Sequence, residues 1–326
     1  MLAVSIDTEE DDWTPRPGPV TLRNIRELPR LHQFLTWLNL RPTYFVNYQV
    51  FADLEAAAVI QEIAGSGNAE IGAHLHPWNT PPVNGALGPG ETMLLNLAEE
   101  VQEAKIRAVT DKAGEVLGVA PTAFRAGRFG FGAGTARALR RTGYSVDSSV
   151  TPFFNWGRYD NGPSFVGAPL SVYRLGAGQE DVRRPAAGGD LIEVPISGGF
   201  NRWPVRSWGA LQSVFSSGVG RAVAGVAARS TLARKVSLSP ERDGVGEMLG
   251  LSRRILAARI PILHAFWHSP SMVPGLTPFS ETRKDVDRLL YRIEAYVEDL
   301  RRIATVTAAT VSEAARALVP DQVAAC

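Results

Sequence analysis

One cysteine in 326 residues, Cys326 at the last position, leaves no partner for a disulfide within the chain and no thiolate set for zinc. An excess of one charge is also missing. Lys and Arg number 34 against 33 Asp and Glu, the net charge is +1, and no basic run marks a nucleic-acid surface. No stretch of ~20 apolar residues could span a bilayer. The start, Leu2-Ala3-Val4-Ser5-Ile6 and then Asp7, lacks the basic flank and longer apolar run of a secretory leader. These absences lead us to expect a protein of the cytoplasm or of the inner membrane face, with no nucleic-acid partner and no transmembrane segment.

What is present is alternation. Short apolar runs read as strands at Leu2–Asp7, Pro42–Asn47, Ala69–His76, Thr122–Ala126, Ser145–Val150, Leu191–Ser197 and Ile262–His268, with a further short one at Ala304–Ala308. Helical periodicity occupies Leu22–Leu38, Leu54–Ala64, Thr92–Leu117, Gly134–Arg141, Gly244–Ala258, Glu281–Ile303 and Ser312–Leu318. Repeated βα units predict a mainly parallel sheet, either a barrel or a doubly wound open sheet. A length of 326 residues suits one barrel domain of ~250 residues with insertions. Two stretches break the rhythm. Residues 151–189 read as an excursion over the barrel mouth, and residues 201–245 read as a helical insertion. We expect a single domain over residues 1–326.

The titratable residues fall in few places. Of five histidines, four lie in two candidate strands: His74 and His76, then His264 and His268. Residues i and i+2 of a strand share a face, so Asp7 pairs with Glu9 and His74 with His76. Carboxylates and imidazoles at strand ends, with a position left for water, can build a catalytic zinc-type site. Taken singly, the acidic run Asp7–Asp12 reads more readily as a solvated turn, and His74-Leu75-His76 reads equally as hydrogen-bonded core. Arg125 near a strand end can hold a carboxylate through its fork, or stand as a surface arginine. His268 ends its strand where a general acid is useful. His264, deeper in the strand, reads as a packed core histidine, and His32 as a helix residue without chemistry. Asp147 can orient a histidine, bind substrate or cap a turn.

Taken in order, Ser5-Ile6-Asp7-Thr8-Glu9, Ile71-Gly72-Ala73-His74, Phe124-Arg125-Ala126-Gly127 and Trp267-His268-Ser269 resemble the motifs of the polysaccharide deacetylase family, the NodB-homology group of carbohydrate esterases. The resemblance runs from Leu2 to the C-terminal helices, leaving the middle insertions uncovered. It implies a distorted (β/α)7 TIM-like barrel with loop and helical insertions. It further implies a divalent metal, Zn²⁺, on Glu9, His74 and His76, with Asp7 as base, His268 as acid and Arg125 orienting Asp7. The reaction implied is removal of an N-acyl group from an amino sugar of a polysaccharide or its lipid-linked precursor. Trp78, Asp147, Phe153 and Trp156, with Phe154, are expected as substrate contacts; the aromatic ones serve equally as loop anchors. The chain departs from the family pattern at two points. The second motif histidine usually lies four residues on, where this chain has Trp78, so His76 takes that place. Gly127 stands where the third motif has Pro. Two rivals remain: hydrolysis of another C–N bond on the same barrel, and a barrel without catalysis that serves as a binding scaffold.

Overall fold

The computed structural model describes residues 1–12, 20–83, 85, 87–88, 90–216 and 234–319. Its strands are β1 (Leu2–Thr8), β2 (Pro42–Val46), β3 (Glu70–Leu75), β4 (Ala123–Ala126), β5 (Val146–Asp147), β6 (Tyr173–Leu175), β7 (Leu191–Glu193), β8 (Gly198–Phe200), β9 (Lys235–Ser237), β10 (Leu263–His268) and β11 (Ala308–Ala309). The main sheet runs β10-β1-β2-β3-β4-β5-β7-β6, with β11 added beside β1. From β10 to β7 every neighbour is parallel, which makes seven parallel strands; only β6 is antiparallel.

Parallel strands are covered on both faces, and β1 shows this in its residues: all seven are buried. Leu2, Val4 and Ile6 join the large cluster beneath the outer helices, while Ser5 and Asp7 turn inward to His264 and Arg125. The sheet curls until its ends meet. Beyond β7, Val194 N donates to Asp147 O (2.9 Å) and Ile196 N donates to Val150 O (3.0 Å), so the chain keeps following β5. Ser197 N then donates to His264 O on β10 at 3.1 Å, and Phe266 N donates to Leu238 O at 2.9 Å. Single hydrogen bonds rather than a full ladder close this seam, which is the distortion of the barrel. A small apolar cluster of Phe45, Ala123, Val146, Val194 and Ile262 includes Val311 and Ala314 from helix Val311–Leu318, which packs on β1 and β5.

The expected elements hold with local changes. The first helix is split: a 3-10 turn at Arg23–Glu27 precedes helix Leu28–Trp37, which has Pro29 in its first turn. The helix expected from Thr92 starts at Glu99, because residues 92–97 instead form turns that Asn96 ties to Gly90 and Asp160. The strand expected at 304–308 reduces to Ala308–Ala309. Residues 151–189 carry β6 and lay Trp156 and Tyr159 over the barrel mouth. The described part of 201–245 contains helix Trp208–Ser216, while β9 pairs with β8 in a two-stranded antiparallel sheet. Residues 217–233 and Cys326 lie outside the described residues. No helix among the described residues is long and apolar enough to cross a membrane.

Candidate active site

The C-terminal ends of β1, β3, β4 and β10 converge, as expected for a barrel mouth. Asp7, Glu9, His74, His76 and His268 line one cavity of about 270 Å³, walled by Phe129, Trp156, Tyr159 and Phe266 among others. Arg125 lies directly behind it. The acidic run is not a solvated turn. Asp7, Glu9, Glu10 and Asp11 are all buried. Asp11 accepts from Asn24 N at 2.9 Å and Arg23 N at 3.0 Å, and Glu10 accepts from Asn47 and Asn79. Each acid has a partner, which is the condition for burying a charge.

Arg125 is wholly buried and each of its three guanidinium nitrogens is engaged. Nη1 donates to Asp7 Oδ1 at 2.6 Å, Nε to Ser148 O at 2.8 Å and Nη2 to Ser148 Oγ at 2.9 Å, with the Phe45 ring 4.3 Å beneath. Burial pushes the Asp7 carboxyl up, but the Arg125 guanidinium, aided by His74 and His268, holds it below its usual value. Only Oδ1 is engaged by Arg125. Oδ2 faces His268 Nε2 at 3.8 Å.

On the other side of the cavity, Glu9 Oε2 lies 2.6 Å from His76 Nε2 and 3.5 Å from His74 Nε2, and the two imidazole nitrogens are 3.1 Å apart. His74 Nδ1 is 2.9 Å from Arg125 O. A carbonyl only accepts, so Nδ1 carries a proton and Nε2 is the nitrogen turned toward His76 and Glu9. Three ligand atoms crowd together there, and Glu9 Oε1 is buried without a hydrogen-bond partner among the described residues. One carboxylate and two imidazoles within reach of one another, open toward a pocket, fit a divalent ion of the zinc type. The carbonyl behind His74 is the outer support such ligands generally have. Burial pushes Glu9 up, but the neighbouring His76 and His74 pull it well below the usual carboxylate range.

Gly127 explains how His76 fits. A Cβ at residue 127 would overlap the His76 ring and lie 2.7 Å from Leu75 O. A histidine two residues after His74, with its Nδ1 against the β4 exit, therefore requires glycine where the family pattern has proline. The two departures from that pattern are one packing arrangement. Next in the chain, Arg128 (φ 54°) and Phe129 (φ 58°) both adopt left-handed backbone and both line the cavity. Such outliers cost roughly 1–3 kcal/mol each and gather at functional sites.

His268 is held from behind by Glu241, a residue that sequence reasoning missed. Its Nδ1 is 2.9 Å from Glu241 Oε2, and Glu241 Oε1 accepts from His268 N at 3.1 Å and from Ser271 Oγ. Burial works to lower the imidazole pKa, but the Glu241 carboxylate outweighs it and the ring is raised to about 9. His264 meets the reverse. Burial, with the Arg125 charge added, lowers it to about 3, and its Nε2 is 2.9 Å from Ser5 Oγ.

The expected substrate contacts divide. Trp156 lines the cavity and stacks on Phe129 (5.2 Å between centroids) and Phe154 (5.8 Å). Trp78 packs against His76 at 4.2 Å, beside the cavity rather than in its lining. Phe153 and Asp147 are corrections. Phe153 is buried against Phe200 and Trp208, because its left-handed backbone (φ 68°) turns its side chain into the core. Asp147 is fully buried, accepts from Ser149 N and Oγ, sits in register with Glu193, and is not part of the lining of this cavity. Burial and the neighbouring Asp147 push the Glu193 carboxyl well up.

No family model matches the chain, and no curated protein does. Solved structures do. A Mycobacterium smegmatis protein assigned as a polysaccharide deacetylase matches 97% of this chain and 89% of its own, at 17% identity and a TM-score of 0.55. A Parabacteroides distasonis protein assigned as a glycoside hydrolase or deacetylase matches 93% and 67%, at 13% identity and a TM-score of 0.58. PuuE allantoinase matches 97% and 88%, at 12% identity and a TM-score of 0.50. The class is thus a distorted α/β barrel with its residue cluster at the strand ends. Within that class, the fold resembles that of the polysaccharide deacetylases.

Proposed function

We propose that this chain is a metal-dependent hydrolase that removes an N-acyl group, such as acetyl, from an amino sugar of a polysaccharide or its lipid-linked precursor. One observation carries the reading: Asp7 and His268 face each other 3.8 Å apart across the mouth of the cavity that Glu9, His74 and His76 also line. A base, an acid and a set of metal ligands around one space is what amide hydrolysis needs.

Glu9, His74 and His76 would hold the cation, with Zn²⁺ best suited to one carboxylate and two imidazoles. A divalent ion bound there acidifies water and polarises the acyl carbonyl. Asp7, kept ionised by Arg125, takes the proton of the attacking water on Oδ2, the oxygen that Arg125 leaves free. The water oxygen bonds to the acyl carbon, the C–N bond breaks, and His268 gives its Nε2 proton to the departing nitrogen. Glu241 keeps His268 charged until that moment. Trp156, which lines the cavity and is steadied by Phe129 and Phe154, is the aromatic side chain placed to meet a sugar ring. The products are a carboxylate and a free amine.

Hydrolysis of a different C–N bond is the second reading, favoured by Arg128 and Arg242 on the cavity wall, which suit a small polar amide. Acetate release from N-acetylated oligosaccharides, set beside ring opening of a cyclic ureide, separates the two. The proposal expects acetate release that chelator and Asp7→Asn both abolish. Ureide turnover with no acetate release favours the second reading, and activity indifferent to chelator and to Asp7→Asn contradicts both.

A further inference from the structure

The charges on the cavity wall cancel in pairs, with one left over. Asp7 is matched by Arg125 at 2.6 Å, His268 by Glu241 at 2.9 Å, and Arg128 by Asp160 at 2.8 Å. Glu9 faces the two imidazoles of the ligand set. Arg242 also lines the cavity, and it is exposed. Among the described residues it is the one cation of this wall with no carboxylate within ion-pair distance and no side-chain hydrogen bond.

Its backbone is anything but loose. Arg242 N donates to Ser239 O at 3.1 Å, and Asp243 N donates to the same oxygen at 3.0 Å. Arg292 Nη1 grips Pro240 O at 2.9 Å, and Asp243 Oδ2 accepts from Ser237 N at 3.0 Å. Glu241 locks the turn to His268. A five-residue turn is pinned on every side, and the guanidinium at its apex is left free in the pocket. The turn bonds the His268 backbone, so Arg242 enters from the wall that serves the departing amine, not from the wall of the metal ligands. It also borders the neighbouring cleft floored by Phe154, Trp156 and Phe266.

We propose that Arg242 receives an anionic group carried by the amine-bearing half of the substrate, so that the substrate is an acidic amino sugar, bearing a phosphate or a carboxylate, rather than a neutral chain. This deepens, and rests on, the deacylase reading above. A planar fork of N–H donors matches the oxygens of either anion, and with the other charges of the wall already paired Arg242 has no competing carboxylate there. Trp156 and Arg242 both line the cavity and the adjoining cleft, so a sugar that reaches Trp156 lies in the space Arg242 also borders.

The test compares N-acetylglucosamine 1-phosphate, N-acetylmuramic acid and N-acetylglucosamine as substrates of the metal-loaded protein and of Arg242→Gln and Arg242→Lys. It also measures binding of the same three compounds to the metal-free protein by tryptophan fluorescence. One charge-assisted contact corresponds to roughly a 10-fold change in affinity or more. The expected result is a KM for at least one acidic sugar about tenfold below that of the neutral one. Arg242→Gln erases that ratio through KM more than kcat, Arg242→Lys restores part of it, and added salt weakens it. Preference for the 1-phosphate identifies a phosphorylated sugar, and preference for the muramic acid identifies a carboxylate. Equal KM values, or a ratio that survives in Arg242→Gln, overturn the inference while acetate release leaves the deacylase reading intact. If no compound is hydrolysed yet the acidic sugars bind in an Arg242-dependent manner, the deacylase reading fails and the anion site stands. Without hydrolysis and without such binding, both fall.

Discussion

His264 and His268 lie on one strand, four residues apart and facing the same side, and their environments drive them in opposite directions. At His264 the strand is inside the barrel, the neighbours are Ser5 and the Arg125 guanidinium, and the ring stays neutral down to about pH 3. At His268 the strand has reached the mouth, Glu241 stands behind the ring, and the proton is kept up to about pH 9. Two identical side chains become a structural acceptor and a proton donor through what each faces, not through sequence position. The same division marks the two buried acids of β5 and β7, Asp147 and Glu193. These resemble Asp7 and Glu9 in burial but lie away from the cavity.

The comparison breaks most visibly under substitution. His268→Gln should lower kcat by roughly 10²–10⁴-fold with KM little changed, the size expected for a lost general acid. His264→Gln should act mainly on stability, costing about 1–3 kcal/mol for a disturbed buried hydrogen-bond site. Steady-state kinetics beside urea denaturation read both. Equal losses of kcat at retained fold would erase the distinction.

Next in size is an effect on pH dependence. Because the folded pKa of His268 is raised, the donor form is complete near neutrality and disappears as pH climbs through about 9. Glu241→Gln removes the charge that raises it, so the alkaline limb of the kcat profile should move toward neutral pH by ~1–2 units. An unmoved limb would assign that limb to another group. For His264 the sign reverses. Its folded pKa, about 3, lies below the ordinary value near 6.5. Its contribution to stability is therefore full above about pH 6.5 and shrinks as pH falls toward 3. The stability gap between the native protein and His264→Gln should narrow in acid, measured by urea midpoints at pH 7 and pH 4.5.

Smaller effects sharpen the map of the mouth. Gly127→Ala should cost about 1–3 kcal/mol by overpacking and displace His76, weakening metal affinity more than it lowers the melting temperature of the metal-free protein. Phe153→Ala should destabilise by about 3–5 kcal/mol as a core truncation, with KM unaffected. Trp156→Ala should raise KM and also lower stability, since it removes the stacking on Phe129 and Phe154. If Phe153→Ala raised KM instead, its placement in the core would be wrong.

Much of the barrel is legible in the sequence because its strands are local events. Leu2–Asp7 and Pro42–Asn47 are apolar runs buried on both faces, and β10 follows Pro261 and ends before Pro270. Parity along a strand pairs Asp7 with Glu9 and His74 with His76, but these residues, Arg125 and His268 become legible as a group only through the order of their motifs, which resembles that of the polysaccharide deacetylases; taken singly, the acidic run reads as a solvated turn. What stays hidden is non-local. Glu241 meets His268 across 27 residues and several hydrogen bonds of an irregular turn, which no periodicity announces. Glu10 and Asp11 look like solvent-facing charge until Asn47, Asn79 and Asn24 close over them. Phe153 and Trp156 are neighbours in an aromatic loop, and only the left-handed backbone at Phe153 decides which of them is buried. Gly127 reads as a departure from a motif until the His76 ring is seen against it.

The proposed chemistry depends on Glu9, His74 and His76 binding one divalent ion beside Asp7 and His268. Metal analysis of the protein purified without chelator, followed by zinc titration of the stripped protein, tests it most directly. One equivalent should be bound in the native protein and lost in Glu9→Gln and in His74→Ala. Asp7→Asn should still bind metal while losing activity. Native protein that takes up no metal, or His74→Ala and Glu9→Gln variants that bind it as tightly as before, would rule out a metal centre on these three residues.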